Sequence, residues 1–269
     1  MYMPKYDIII LAGQSNALGF GCGETAYQLK HLECIDELYD DQAKCYTQDE
    51  NGKDYLAIYR PWKLKLVDAA DGHKISFAMR FADEYIEQGY LAEDRKILVL
   101  RCAVGGTGFY NGNWGVGMLL YERMLDMIKY ALSLNCENRV VAFLWHQGES
   151  DSFERQDWSY EERKKYYYNH LKPVIDNIRS CCNQPKLPVL CGGLIDDWSQ
   201  NYREPCDAVM EATKQVCKSV GNAAFVEATG LLSNNQKTGN GDNIHFCLDA
   251  TYALGKRYFE SYQAVLSNN

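Results

Sequence analysis

Residues 6–19 read Tyr6-Asp7-Ile8-Ile9-Ile10-Leu11-Ala12-Gly13-Gln14-Ser15-Asn16-Ala17-Leu18-Gly19. Residues 8–12 are apolar without a polar break. A strand wetted on one face alternates, so an unbroken run points to burial on both faces, as in a parallel sheet covered by helices on either side. Runs of the same kind occupy 96–103, 140–145, 188–192 and 224–228, which with 6–12 makes five candidate buried strands. Helical spacing fills the intervals. Ile75, Met79, Ala82 and Ile86 form one apolar stripe, and Leu120, Met124, Ile128 and Ala131 another. Ser159 and Glu162 have capping-box spacing ahead of Tyr167, Leu171, Val174 and Ile178, with Pro173 expected to kink that helix. Further helices are expected over 202–219 and along Ala250, Leu254, Tyr258 and Tyr262.

Composition supports a folded α/β chain. Of 269 residues, 46% are hydrophobic and 24% charged, enough for a core and for solubility, which excludes disorder. A single domain over 1–269 is expected, with an irregular insertion at about 22–72 where periodicity is weak. There are 28 basic and 36 acidic residues, giving a net charge of −8. Without a Lys/Arg cluster, that argues against nucleic acid as a partner. The 11 cysteines show neither CxxC spacing nor an even disulfide framework, so they read as small core residues of a reducing, cytoplasmic compartment. Neither a signal peptide nor a membrane-spanning run is read from the chain. Nothing in it indicates an oligomeric state.

Four polar blocks lie at or near expected strand ends. The first is Gly13-Gln14-Ser15-Asn16, directly after the first strand. Open α/β sheets bind ligands there, although Ser15 would also serve as an ordinary helix cap. The second, Gly105-Gly106-Thr107-Gly108, lets backbone N–H groups approach a ligand and lacks the Lys-Ser/Thr ending of a phosphate loop. The third is His146-Gln147-Gly148-Glu149-Ser150-Asp151. In the fourth, Asp242 precedes His245 by three residues in a turn, where a carboxylate can reach Nδ1–H and leave Nε2 for a nucleophile.

In this order the blocks resemble those of the SGNH (GDSL-like) hydrolases, specifically the sialate O-acetylesterase-like branch that includes carbohydrate esterase family 6 acetylxylan esterases. The resemblance runs from about Asp7 to Tyr262. It implies a flavodoxin-like, three-layer α/β/α sandwich with a five-stranded parallel sheet, and a carboxylic ester hydrolase working without metal or cofactor on a small-molecule or oligosaccharide acyl ester. Carried over by position, Ser15 is the nucleophile, His245 the base and then acid, and Asp242 the residue orienting His245. The oxyanion hole then comprises the backbone N–H groups of Ser15 and Gly106 and the side chain of Gln147. The wider superfamily has Asn in a Gly-x-Asn-Asp block, whereas this chain has His-Gln-Gly-Glu. Gln14, Asn16, Gly105, Glu149 and Asp151 are supporting candidates. Trp114, and less so Tyr110, are candidates for contact with sugar.

Other readings stay open on sequence alone. An α/β-hydrolase would place its nucleophile in Gly-x-Ser-x-Gly, but Ala17 stands where the final glycine belongs. His146, Glu149, Asp151, Asp242 and His245 offer donors for a metal-dependent hydrolase. The 20 tyrosines and five tryptophans would suit a non-catalytic carbohydrate-binding module. Glu149 competes with Asp242 as the partner of His245, and a non-carbohydrate acyl ester is the alternative substrate. Cys102 lies close enough to Gly105 to make thiol modification worth watching.

Overall fold

The computed structural model describes residues 3–41, 46–48, 54–56, 60–73, 75–153 and 156–267. The expected strands form at Lys5–Gly13 (β1), Arg95–Arg101 (β6), Arg139–His146 (β7), Val189–Gly192 (β8) and Ala223–Val226 (β9). Two more strands join them, Ile35–Asp40 (β2) and Leu64–Asp68 (β5). The sheet has seven strands in the order β5-β2-β6-β1-β7-β8-β9, all neighbours parallel except β5 against β2. Within it the five expected strands follow the 2-1-3-4-5 order of flavodoxin-like folds.

The five-strand expectation is therefore corrected to seven, and both additions come from the 22–72 segment read as irregular. Charge explains why β2 was illegible. Its sequence Ile-Asp-Glu-Leu-Tyr-Asp is almost wholly buried, yet three of its six residues are acids. Each acid faces a cation from a neighbouring element: Asp36 accepts from Lys96 at 2.6 Å, Glu37 lies 3.6 Å from Arg101, and Asp40 lies 3.9 Å from Arg123. Burying a charge is tolerable only with such partners, and they come from far away in sequence. The rest of the segment holds a backbone hairpin of Tyr46–Gln48 (β3) and Asp54–Leu56 (β4), while residues 42–45, 49–53 and 57–59 lie outside the described residues.

Alternate residues of β1 serve opposite faces, as strand geometry requires. Tyr6, Ile8, Ile10 and Ala12 pack under helices Leu119–Ser133 (α3), Tyr160–Cys181 (α5) and Arg203–Val220 (α7). Ile9 and Leu11 pack under Phe77–Glu87 (α2) and Leu248–Ser267 (α9). The α3 stripe is buried as expected. The stripe assigned from Ile75 begins later, because Ile75 lies outside α2 and is exposed, whereas Phe77, Ala78 and Phe81 are buried. The Ser159–Glu162 capping box is present, and α5 continues across Pro173. Cys102, Cys191, Cys206, Cys217 and Cys247 are buried free thiols. Among the described residues no helix is long and apolar enough to cross a membrane.

Candidate active site

Because six strands run parallel, everything following β1, β6 and β7 emerges at one carboxyl edge. Strand β1 lies between β6 and β7, where the order of connection reverses, so its end opens the crevice in which such sheets bind ligands. Gly13 ends β1 at φ +130°, and a Cβ there would stand 1.9 Å from the carbonyl oxygen of His146. Only glycine permits that approach. Ser15 then opens the short helix Ser15–Leu18 (α1). Gln14 occupies the cap position and no side chain caps this helix, so Ser15 is not serving as a cap. The serine is 8% exposed. Gly105 lies beside it, its missing Cβ 3.7 Å from that of Ser15.

His245 Nδ1 lies 2.9 and 3.0 Å from the two carboxylate oxygens of Asp242. Since a carboxylate only accepts, Nδ1 carries a proton, and in the neutral ring that leaves the lone pair on Nε2. Asp242 Oδ1 also accepts the backbone N–H of His245 at 3.2 Å, fixing the turn. Burial alone would raise the Asp242 carboxyl, but hydrogen bonds from Asn234 and His245 outweigh it and hold the group below the usual carboxylate range.

Asn16 joins this turn to the carboxyl end of β1, one residue beyond Ser15. Its Oδ1 accepts Phe246 N–H at 3.2 Å, and its Nδ2 donates to the Ile244 carbonyl at 3.0 Å, so one side chain holds the backbone on both sides of His245. The same Nδ2 donates to Glu149 Oε1 at 2.6 Å. Glu149, in the helix Glu149–Phe153 (α4), thus meets Asn16, while Asp242 is the carboxylate on the His245 ring. Burial raises the Glu149 carboxyl above its ordinary range, and its Oε2 is buried without a hydrogen bond.

The rest of the third block is scaffolding. Asp151 accepts the N–H groups of Phe109 (3.0 Å) and Tyr110 (2.8 Å), tying the loop after β6 to the loop after β7. Gln147 departs from the role implied by the resemblance. Its Nε2 donates to Asp151 Oδ2 (2.7 Å), Gln14 Oε1 (3.0 Å) and the Thr107 carbonyl (3.2 Å), while Tyr167 donates to its Oε1. With two amide protons and three buried acceptors, this amide holds Gln14 and Asp151 in place and does not stand open as a donor. His146 is fully buried. Tyr258 gives its single proton to the Trp145 carbonyl, so His146 Nδ1–H donates to the Tyr258 oxygen, and burial pushes the ring down to about 3, keeping it neutral.

Two further expectations are corrected. Trp114 has no exposed surface; its Nε1–H donates to Thr107 Oγ1 at 2.9 Å and its ring packs edge-on against Trp145, because the loop after β6 turns it into the core on the α3, α5 and α7 face of the sheet. It cannot touch a sugar. Cys102 is likewise sealed, and burial pushes its thiol up to about 12, too high for ready modification. Of the metal candidates, Asp242 and His245 pair with each other while His146, Glu149 and Asp151 hold Tyr258, Asn16 and the loop after β6, and among the described residues no group of three or more His, Cys, Asp or Glu is placed to hold a metal ion.

Sequence reading missed Phe20 and Asn234. Phe20 is half exposed, with its ring 5.2 Å from that of His245. Tyr110 is also exposed, so these two aromatics rather than Trp114 border the solvent. Asn234 begins the helix Asn234–Thr238 (α8), is fully buried, and donates to Asp242 Oδ2 at 2.8 Å. The Ser233-x-x-Gln236 capping box announces that helix, but no local signal reveals the contact with Asp242.

The family model described as carbohydrate esterase, sialic acid-specific acetylesterase matches residues 5–264. The chain belongs to this family. The sialic acid-specific acetylesterases are carboxylic ester hydrolases, and the matched span takes in all four polar blocks. A probable carbohydrate esterase of Arabidopsis thaliana, At4g34215, is 32% identical over 167 residues, 62% of this chain and 54% of that protein, so the chain aligns with about half the length of this relative. A probable 9-O-acetyl-N-acetylneuraminic acid deacetylase of Escherichia coli K12 is 21% identical over 242 residues, covering 76% and 72% of the two chains. The crystal structure of NanS superposes over 100% of both chains with a TM-score of 0.72 at 17% identity, a likeness of fold.

Proposed function

We propose that this acetylesterase-family protein removes acetyl groups from hydroxyls of a carbohydrate through a serine acyl-enzyme. The observation that carries this reading is the Asp242–His245 pair on a turn that Asn16, the residue after Ser15, holds from both sides. Serine is a weak nucleophile without an adjacent base, and that tie brings the two ends of the chain to one sheet edge. Ser15 Oγ attacks the acetyl carbonyl while His245 Nε2 takes its proton. His245 then passes the proton to the departing sugar oxygen. Water, deprotonated by the same nitrogen, releases acetate from Ser15. Asp242 holds the Nδ1–H tautomer and balances the imidazolium formed in each half-reaction. Negative charge on the carbonyl oxygen is assigned to the backbone N–H groups of Ser15 and Gly106, with Gln147 bracing the wall behind them.

The low exposure of Ser15 and the closeness of Gly105 favour a short acyl group. The Escherichia coli relative makes 9-O-acetylated sialic acid the first sugar to assay, beside acetylated xylo-oligosaccharides. The central test is hydrolysis of p-nitrophenyl acetate by wild type and Ser15→Ala. A loss of about 10⁴-fold or more in kcat is expected. Equal rates would end the serine mechanism, and faster cleavage of long-chain esters would end the acetyl assignment.

A further inference from the structure

Asn234 has no role in the mechanism above, yet every polar atom of its side chain is engaged at the site. Its Oδ1 accepts Cys22 N–H at 2.8 Å, and its Nδ2 donates to the Phe20 carbonyl at 3.0 Å and to Asp242 Oδ2 at 2.8 Å. A backbone N–H can only donate, so the Cys22 contact identifies Oδ1, and both amide protons must then face Phe20 and Asp242. The two protons and two acceptors match. The backbone is held as well, since Asn234 N–H donates to the His245 carbonyl at 2.9 Å and Asn235 N–H to that of Asp242 at 2.7 Å. Asn234 therefore sits where three segments meet: the stretch leaving the nucleophile helix, the start of α8 and the Asp242–His245 turn.

We propose that Asn234 is a positioning residue for the esterase reaction, acting through Asp242. The inference rests on the Ser15–His245–Asp242 reading. Asp242 Oδ1 is steadied by the backbone N–H groups of Ile244 and His245 as well as facing the His245 ring at 3.0 Å, whereas among the described residues Oδ2 receives the His245 ring and Asn234 alone. Without Asn234 the carboxylate would keep one anchored oxygen and swing about it, reducing the two-oxygen hold on the His245 ring to one and loosening the aim that decides proton transfer. The amide also supplies a hydrogen bond to the ionised acid, which helps keep Asp242 an acceptor as imidazolium forms. Through the Phe20 carbonyl the same side chain fixes the backbone bearing the aromatic ring beside His245, so one residue sets both the acid and the wall next to the base.

A double-mutant cycle on p-nitrophenyl acetate tests this with Asn234→Ala, Asp242→Asn and the pair. Asn234→Ala is expected to lower kcat roughly 10- to 100-fold, the range for losing a hydrogen bond to a charged group, with KM little changed. In the Asp242→Asn background the same change should cost less than about twofold, because the group it acts through is already gone. Equal losses in both backgrounds would show a merely structural residue and overturn the proposal, as would an unchanged kcat. Should Asn234→Ala fail to fold, Asn234→Asp keeps the size and the Cys22 contact but sets an oxygen against Asp242. Wild-type kcat in that variant would overturn the proposal too. If Ser15→Ala or Asp242→Asn retains full activity, the triad reading fails and this inference falls with it. If both are crippled while Asn234→Ala is additive, only this inference fails.

Discussion

Glu149 and Asp242 stand at the same edge of the sheet, and their surroundings push them in opposite directions. Glu149 is sealed with one oxygen unpartnered, whereas Asp242 gathers donors on both oxygens. Asp242→Asn should lower kcat by roughly 10³- to 10⁴-fold by removing the acceptor for Nδ1–H. Glu149→Gln keeps an oxygen for Asn16 and should stay within about tenfold of wild type, since a neutral hydrogen bond replaces one of similar geometry. Measuring both on p-nitrophenyl acetate decides between the acids, and the reverse ranking would assign the histidine partner to Glu149. Stability carries a second signature. The folded carboxyl of Glu149 titrates above its ordinary value, so its contribution is complete below the unfolded value and is lost as pH rises through the folded one. The Tm of Glu149→Gln minus that of wild type should therefore grow as the pH is raised from acidic towards neutral; a flat difference would contradict the buried placement of this acid.

At the scale of elements, two glycines allow backbones to approach more closely than any side chain would. A Cβ at Gly13 meets the His146 carbonyl, and one at Gly255 in α9 would lie 2.3 Å from the Phe77 carbonyl and 2.6 Å from Arg80 Cβ in α2. Gly13→Ala should lose roughly 3 kcal/mol or more, because a positive φ adds to the clash. Gly255→Ala has a competing term. Alanine gains about 1 kcal/mol in a helix, but overpacking between α2 and α9 costs about 1–3 kcal/mol, so a net loss is expected. Urea denaturation checks both, and a Gly255→Ala protein more stable than wild type would show that the helices can part. Elements with a clean local period, β1, β6, β7 and α3, were legible because burial alone selects their residues. Strand β2 was not, since its acids face Lys96 and Arg101 of β6 and Arg123 of α3, which only the tertiary fold brings near them.

For the whole molecule, the last helix is part of the first layer. Helix α9 covers the central sheet beside α2 through Leu254, Tyr258, Phe259 and Tyr262, and Tyr258 reaches His146 at the end of β7. A chain ending at Cys247 keeps every proposed catalytic residue but exposes that face. Burying each large apolar side chain contributes about 1.5–3 kcal/mol, so losing these four removes about as much free energy as the whole stability of an ordinary domain. The truncated chain is expected to lack cooperative thermal unfolding by circular dichroism, and a normal transition would show α9 to be dispensable.

The sequence by itself determined the parallel α/β character, because unbroken apolar runs and helical stripes are local consequences of burial. It also marked the four polar blocks, and in Asp242 and His245 a contact short enough in sequence to be anticipated. Tertiary structure decided the rest. It buried Trp114, turned both Gln147 amide protons inward, gave Glu149 to Asn16, and brought Asn234 to Asp242. Each depends on which loops meet above the sheet, and such a meeting, whether Asn16 with Glu149 across most of the chain or Asn234 with Asp242 across a turn, leaves no period or spacing to read.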